Sequence, residues 1–273
     1  MFIRKRHAFL RPDREPAPPL SGLNGWIEQL GLAFLALASC LGLYARILVG
    51  RSRLDLPAFA IALRQAGLSI LPAMTLVAGA VGIILGRQAQ SFLAQFDLPG
   101  LVLLSVSYGI VVEVVPILVG ILVAGRAGVA LAVRQATLAA SGEMDGLLVN
   151  GIDPIRFTLG PVLLAMLLMS FAFTVWGSLV TFGAAGIWLW AMSGLPPVLF
   201  LDALERALSS GDLVEALLKP VLFAVLIALI ATVHGTAAGR DPQGIAQAAT
   251  RTMIGAVSAI LLADLAVVLL VGD

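Results

Sequence analysis

The chain has 273 residues, 60% of them hydrophobic and only 12% charged, with a mean hydropathy of +1.02 and a net charge of +1. A soluble domain carries roughly twice that share of charge, and several uncharged runs approach the ~20 residues that cross a bilayer as helix, so the composition specifies an all-α polytopic membrane protein. The single cysteine, Cys40, excludes an intrachain disulfide and a thiolate metal cluster, and His7 and His234 are too far apart for a zinc motif.

Residues 1–25 read as a disordered cytoplasmic tail. Too few apolar residues follow Arg4, Lys5 and Arg6 for a cleavable signal peptide, and the next stretch is charged and Pro-rich. Residues 26–66 read as an interfacial helix and an elbow. Trp26 to Val49 is apolar, but Glu28 interrupts it and Arg46, Arg51 and Arg53 flank it. That pattern suits a helix lying in the interface with Trp26 and Tyr44 at headgroup level; a full span is the competing reading. Residues 67–273 read as a five-span domain. The first two spans are Leu68 to Gly86 and Leu101 to Gly125.

A polar insert, Ser141 to Phe157, then separates two very apolar segments. Ser141 suits a helix N-cap, Glu143 and Asp145 suit the positive end of the helix dipole, Gly151 suits the C′ position and Pro154 forbids continuation. The insert therefore predicts a short capped helix at about 142–150, either an ordinary surface helix or a contact for something outside the membrane. From Phe157 to Leu201 there is no charge. One long helix ending near Trp188 and Trp190 is the reading adopted; two spans divided at Gly183 to Gly186 would invert everything downstream. A non-cytoplasmic segment runs to Asp212, and Leu213–Val233 and Met253–Val271 complete the spans.

With the N-terminus inside, fourteen Lys/Arg lie on the cytoplasmic side against Arg87, Arg206 and Lys219 on the other. Glu113, Lys219 and Asp264 fall inside spans. Glu113 lies 13 residues before Arg126, Lys219 lies 15 before His234, and Asp264 lies 13 after Arg251. Each is thus roughly 20 Å from its cytoplasmic anchor, at a shared depth in the outer half of the bilayer. They form either a structural ion-pair cluster or a polar patch in a substrate cavity. The stripe Gly79, Gly82 and Gly86 permits close helix approach, within one subunit or across a dimer. Neither lysine follows a glycine, so there is no P-loop and no ATPase site of that kind; nothing points to an enzyme or to nucleic acid.

Several motifs together resemble the MlaE/YrbE family, the permeases of MCE-associated ABC transporters, from about Ala58 to the C-terminus. Glu113-Val114-Val115-Pro116 followed by Ala124-Gly125-Arg126-Ala127-Gly128 is similar to the family's RELGP and AGR segments, with Val112 in place of the arginine and Val115 in place of the glycine. Asp145, Leu147 and Gly151-Ile152-Asp153-Pro154-Ile155-Arg156 resemble its insert, and Gly244-Ile245 with Ala249-Thr250 and Thr252 resembles its last motif. Arg240-Asp241-Pro242 departs from the usual Gly-Gly there.

The resemblance implies a homodimer in the bacterial inner membrane, N-terminus cytoplasmic and C-terminus periplasmic, with an interfacial helix and five spans per subunit. It implies a cytoplasmic ABC ATPase that binds the ATP, so that the chain itself needs no cofactor or metal. It further implies a periplasmic MCE-domain protein, an assembly that can include a STAS-domain accessory protein, and lipid, phospholipid first, as cargo in the service of outer-membrane lipid asymmetry. Glu143, Asp145, Leu147, Gly151, Asp153, Pro154 and Arg156 are the expected ATPase-coupling residues. Glu113, Pro116, Lys219 and Asp264 are the expected intramembrane charges or cavity lining. A proton-coupled secondary transporter and a non-transporting scaffold are the alternatives.

Overall fold

The computed structural model describes residues 23–50, 56–95 and 99–271. The tail ahead of residue 23, the arginines at 51 and 53, Asp97 and the C-terminal Asp273 lie outside them. Among the described residues the secondary structure is entirely helical. The chain runs α1 (Leu23–Leu48), α2 (Leu56–Leu63), α3 (Leu71–Gln95), α4 (Pro99–Tyr108), α5 (Val115–Val123), α6 (Val129–Ala140), α7 (Glu143–Val149), α8 (Pro154–Ser193), α9 (Pro197–Ala207), α10 (Ser210–Thr236) and α11 (Pro242–Val271). Among the described residues there are three π-helical turns: Gly109–Val114 and Ala124–Gly128 join their neighbours without a break, while Arg64–Leu68 continues α2 and is separated from α3 by a turn at Ser69–Ile70. Gly100–Ala140 is therefore one rod of 41 residues, and Leu56–Gln95 is a 40-residue segment with that turn inside it.

Among the described residues, six helical segments are long and apolar enough to cross a membrane, α1 among them through Gln29–Leu48. Length and apolarity thus make α1 a sixth candidate beside the five expected spans. It packs on α8 and α10 through the buried Ala36 and Cys40, and the Tyr44 hydroxyl donates to the Gly160 carbonyl at 2.7 Å. The Tyr44 hydroxyl is therefore engaged by α8.

The charge-free run is one helix, 40 residues long, and no break falls at Gly183 to Gly186. Asp153 caps its start by accepting from the Ile155 and Arg156 amides, Pro154 occupies the first turn, and Gly194 at φ +65° stops it. Its main neighbour is α3, and the glycine stripe is what lets them close. A Cβ on Gly82 would collide with the Thr181 carbonyl, and one on Gly86 would lie 2.9 Å from the Ala185 carbonyl.

Three boundaries differ from the sequence reading. The segment after α8 folds into α9, whose Phe200 stacks on Phe182 at 4.1 Å and which packs on α4. Helix α10 begins ahead of Leu213, because Ser209 and Asp212 form a reciprocal capping box. Helix α11 begins at Pro242, eleven residues before the expected Met253, with Asp241 Oδ1 accepting from the Gly244 amide. Arg240-Asp241-Pro242 thus supplies a cap and a proline start where glycines were expected.

Candidate functional site

Two places concentrate the polar chemistry, at opposite ends of the bundle. The first is an ion cluster. Lys219 on α10 is buried, and its Nζ lies 3.0 Å from Glu113 Oε1, 2.9 Å from Glu215 Oε1 and 3.4 Å from Asp264 Oδ1. Glu113 lies in the Gly109–Val114 π turn, Glu215 one turn earlier on α10, and Asp264 on α11. The three intramembrane charges singled out from sequence therefore meet, and a fourth joins them.

Local backbone chemistry helps hold Lys219. Pro116 has no N–H, so it gives nothing to the carbonyl four residues back, that of Val112. Lys219 Nζ donates to that carbonyl at 3.3 Å. An ammonium has three protons, and Glu113, Glu215 and Val112 take them. Asp264 Oδ1 is left without a hydrogen bond, held by charge alone. Three carboxylates around one cation make this an acid-rich patch. Glu113 is its most open member, with a side chain 32% exposed against 16% for Glu215 and 11% for Asp264.

The second place is α7. Its N-cap is not Ser141 but Gly142, at φ +76° and without a side-chain cap. Ser141 instead closes α6, and its hydroxyl donates to the Leu138 carbonyl and to Glu143 Oε1. Glu143 and Asp145 sit in the first turn, and Glu143 is exposed. Gly151 occupies C′ at φ +74°. Its amide donates to the Leu148 carbonyl and that of Ile152 to the Leu147 carbonyl, the paired bonds of a Schellman stop.

Gly151, Asp153 and Pro154 are thereby committed to punctuation between α7 and α8. Arg156 is half-buried in the first turn of α8. Leu147 is half-buried too, whereas Val149 is 87% exposed, with Leu148 and Ile152 exposed beside it. The apolar edge that faces outward is therefore Leu148–Val149–Ile152. A polar pin fixes the root of α7: the buried Gln135 amide of α6 donates to Thr158 Oγ1 of α8 at 3.0 Å, and that hydroxyl donates to the Pro154 carbonyl.

Two sets of residues escaped the sequence reading. Glu215 carried a signal, the i,i+4 spacing to Lys219 on one helix face. The edge Leu148–Val149–Ile152 carried none, because which apolar residues of a short helix turn outward depends on where α6 and α8 hold it.

Known proteins resemble much of this chain. A probable ABC transporter permease protein of Rickettsia prowazekii is 24% identical over 200 residues, 72% of this chain and 76% of that protein. The intermembrane phospholipid transport system permease protein MlaE of Haemophilus influenzae is 28% identical over 182 residues, 64% of this chain and 68% of its own length. The chloroplastic protein Trigalactosyldiacylglycerol 1 of Arabidopsis thaliana is 28% identical over 152 residues, 56% of this chain but only 43% of that protein. The family model described as Permease MlaE matches residues 59–270, which takes in both polar sites and every helix between them, and the chain therefore belongs to the MlaE permease family.

Proposed function

We propose that this permease moves lipid, with phospholipid as the first candidate, under the drive of a separate ABC ATPase, and exchanges it with a periplasmic MCE-domain protein. In this reading the permease works as a homodimer in the bacterial inner membrane, with α7 in the cytoplasm and a STAS-domain protein as an optional accessory. The observation that carries the reading is α7 itself. It is a punctuated helix with no buried residue, an acidic first turn and an outward apolar edge, pinned at its root to two long helices. Such an edge on a family permease suits the groove of a motor protein. Family membership and the names of the Haemophilus and Rickettsia relatives support lipid as cargo and ATP as drive.

At the other end, Glu113, Glu215, Lys219 and Asp264, with Pro116 behind them, would line the wall a headgroup meets on its way through. The test is Asp145→Lys in the α7 first turn. It should cut recovery of the co-purified ATPase about tenfold and uncouple hydrolysis from lipid transfer, as expected for one lost charge-assisted contact, while the permease stays folded. Normal ATPase recovery with normal transfer would sink the docking role of α7. A proton-coupled secondary transporter is the second reading, favoured by the three intramembrane carboxylates around Lys219. Lipid movement that follows a proton gradient without ATP would select it.

A further inference from the structure

A cleft opens between α2, the π turn Arg64–Leu68, α6 and α8, near the α7 end of the bundle. Ala62, Ala66, Ala127 and Val162 form its apolar floor, and Gln65 and Arg134 form its rim. Arg134 is half-buried and, among the described residues, has neither an ion pair nor a hydrogen bond. Arg126, by contrast, donates to Ser69 Oγ at 3.4 Å. A guanidinium carries five N–H donors, and taking them partly out of water without an acceptor is costly. The Gln65 side chain across the cleft is exposed, and its amide is open to a ligand at the rim.

The surroundings indicate where an acceptor would come from. Ile61 and Leu68, one turn to either side of Gln65, are 57% and 66% exposed. A rim flanked by outward isoleucine and leucine faces hydrocarbon and headgroups rather than bulk water. We infer that the cleft binds an anionic phospholipid from the leaflet at the α7 end, its phosphate on Arg134 and Gln65 and the start of an acyl chain on the alanine floor. This follows the general rule that basic pockets between membrane helices collect acidic headgroups. It is a site separate from the Lys219 cluster, and it stands whether or not the transport reading does.

The test uses the full chain purified in mild detergent. It is offered equal amounts of phosphatidylglycerol and phosphatidylcholine with the same acyl chains, and retained lipid is read by native mass spectrometry. The wild type should retain phosphatidylglycerol preferentially, and Arg134→Gln should reduce that preference about tenfold, the worth of one charged hydrogen bond. Ala130→Phe, at an exposed position on the rim, should reduce phosphatidylglycerol retention with Arg134 still in place. That variant decides the matter if Arg134→Gln fails to fold. An unchanged preference in Arg134→Gln would overturn the site, as would parallel loss of both lipids. So would full displacement by inorganic phosphate, which would show an anion contact without a lipid seat. Loss of a co-purified ATPase in Arg134→Gln with lipid preference intact would assign the guanidinium to a protein partner instead.

Discussion

Lys219 organises the buried charges, and the ratio of three carboxylates to one ammonium sets how they respond to mutation. Removing the lysine leaves three acids facing one another in a low dielectric. Lys219→Met should approach the ~3–5 kcal/mol cost of an orphaned buried charge, lowered somewhat by the exposure of Glu113. Removing one acid relieves repulsion and leaves the lysine paired. Glu215→Gln should therefore cost under ~1 kcal/mol, because the amide still accepts from Nζ. Adding Asp264→Leu to Lys219→Met should restore only part of the loss, since Glu113 and Glu215 remain. Thermal unfolding in detergent measures all of these, and a Glu215→Gln variant as unstable as Lys219→Met would show that the lysine does not hold the cluster. At this scale much was legible. Counting residues from the flanking charges gives Glu113, Lys219 and Asp264 one depth, and the structure joins them. Glu215 was passed over because a charge near the end of a span looks ordinary until Lys219, one turn on, turns it inward. Ser141 misled for a backbone reason. Gly142 adopts positive φ between α6 and α7, which leaves Ser141 closing the earlier helix rather than opening the later one.

Among the elements, the tightest seam is that between α3 and α8, and it depends on absent side chains. Gly82 meets the Thr181 carbonyl directly, so a side chain there must push backbone and not a flexible tip. Gly82→Val should destabilise by about 1–3 kcal/mol, while Gly79→Ala, with only Val180 Cγ1 at 3.9 Å from the new methyl, should be nearly silent. Equal effects at the two positions in a detergent melting series would mean that the seam is not set by this contact. The existence of these helices was plain from apolar run length. Their boundaries were not. The starts of α10 and α11 depend on caps at Ser209 and Asp241, which lie outside the apolar runs and read as loop. The π turns left no trace in the pattern, since one extra residue in a helix that is apolar on most sides shifts its faces without changing the length or composition of the run.

For the molecule as a whole, sidedness follows from α8. Forty residues of unbroken helix extend roughly 60 Å, twice the ~30 Å hydrocarbon core, so its two ends emerge on opposite sides. A cysteine replacing Ser141, near its start, should react with an impermeant thiol reagent only after spheroplasts are broken. One replacing Ser193, at its end, should react in intact spheroplasts. The native Cys40 is fully buried and should stay silent in both. Labelling of Ser141→Cys from outside would reverse the proposed orientation and move α7 away from any cytoplasmic motor. The π turns have a consequence of their own for the rod that joins the two polar ends. Each inserts one residue and sets the downstream sequence back by roughly 100° around the axis. Between Pro99 and Ala140 there are two such turns, so α6 presents a face some 200° out of phase with the one an uninterrupted helix would show. Glu113 lies in the first, and the two together determine which sides of α6 carry Gln135 into the core and Arg134 to its cleft. The rod is in effect frameshifted twice without a break in the helix, and the aim of both polar ends is written in residue number as much as in residue type.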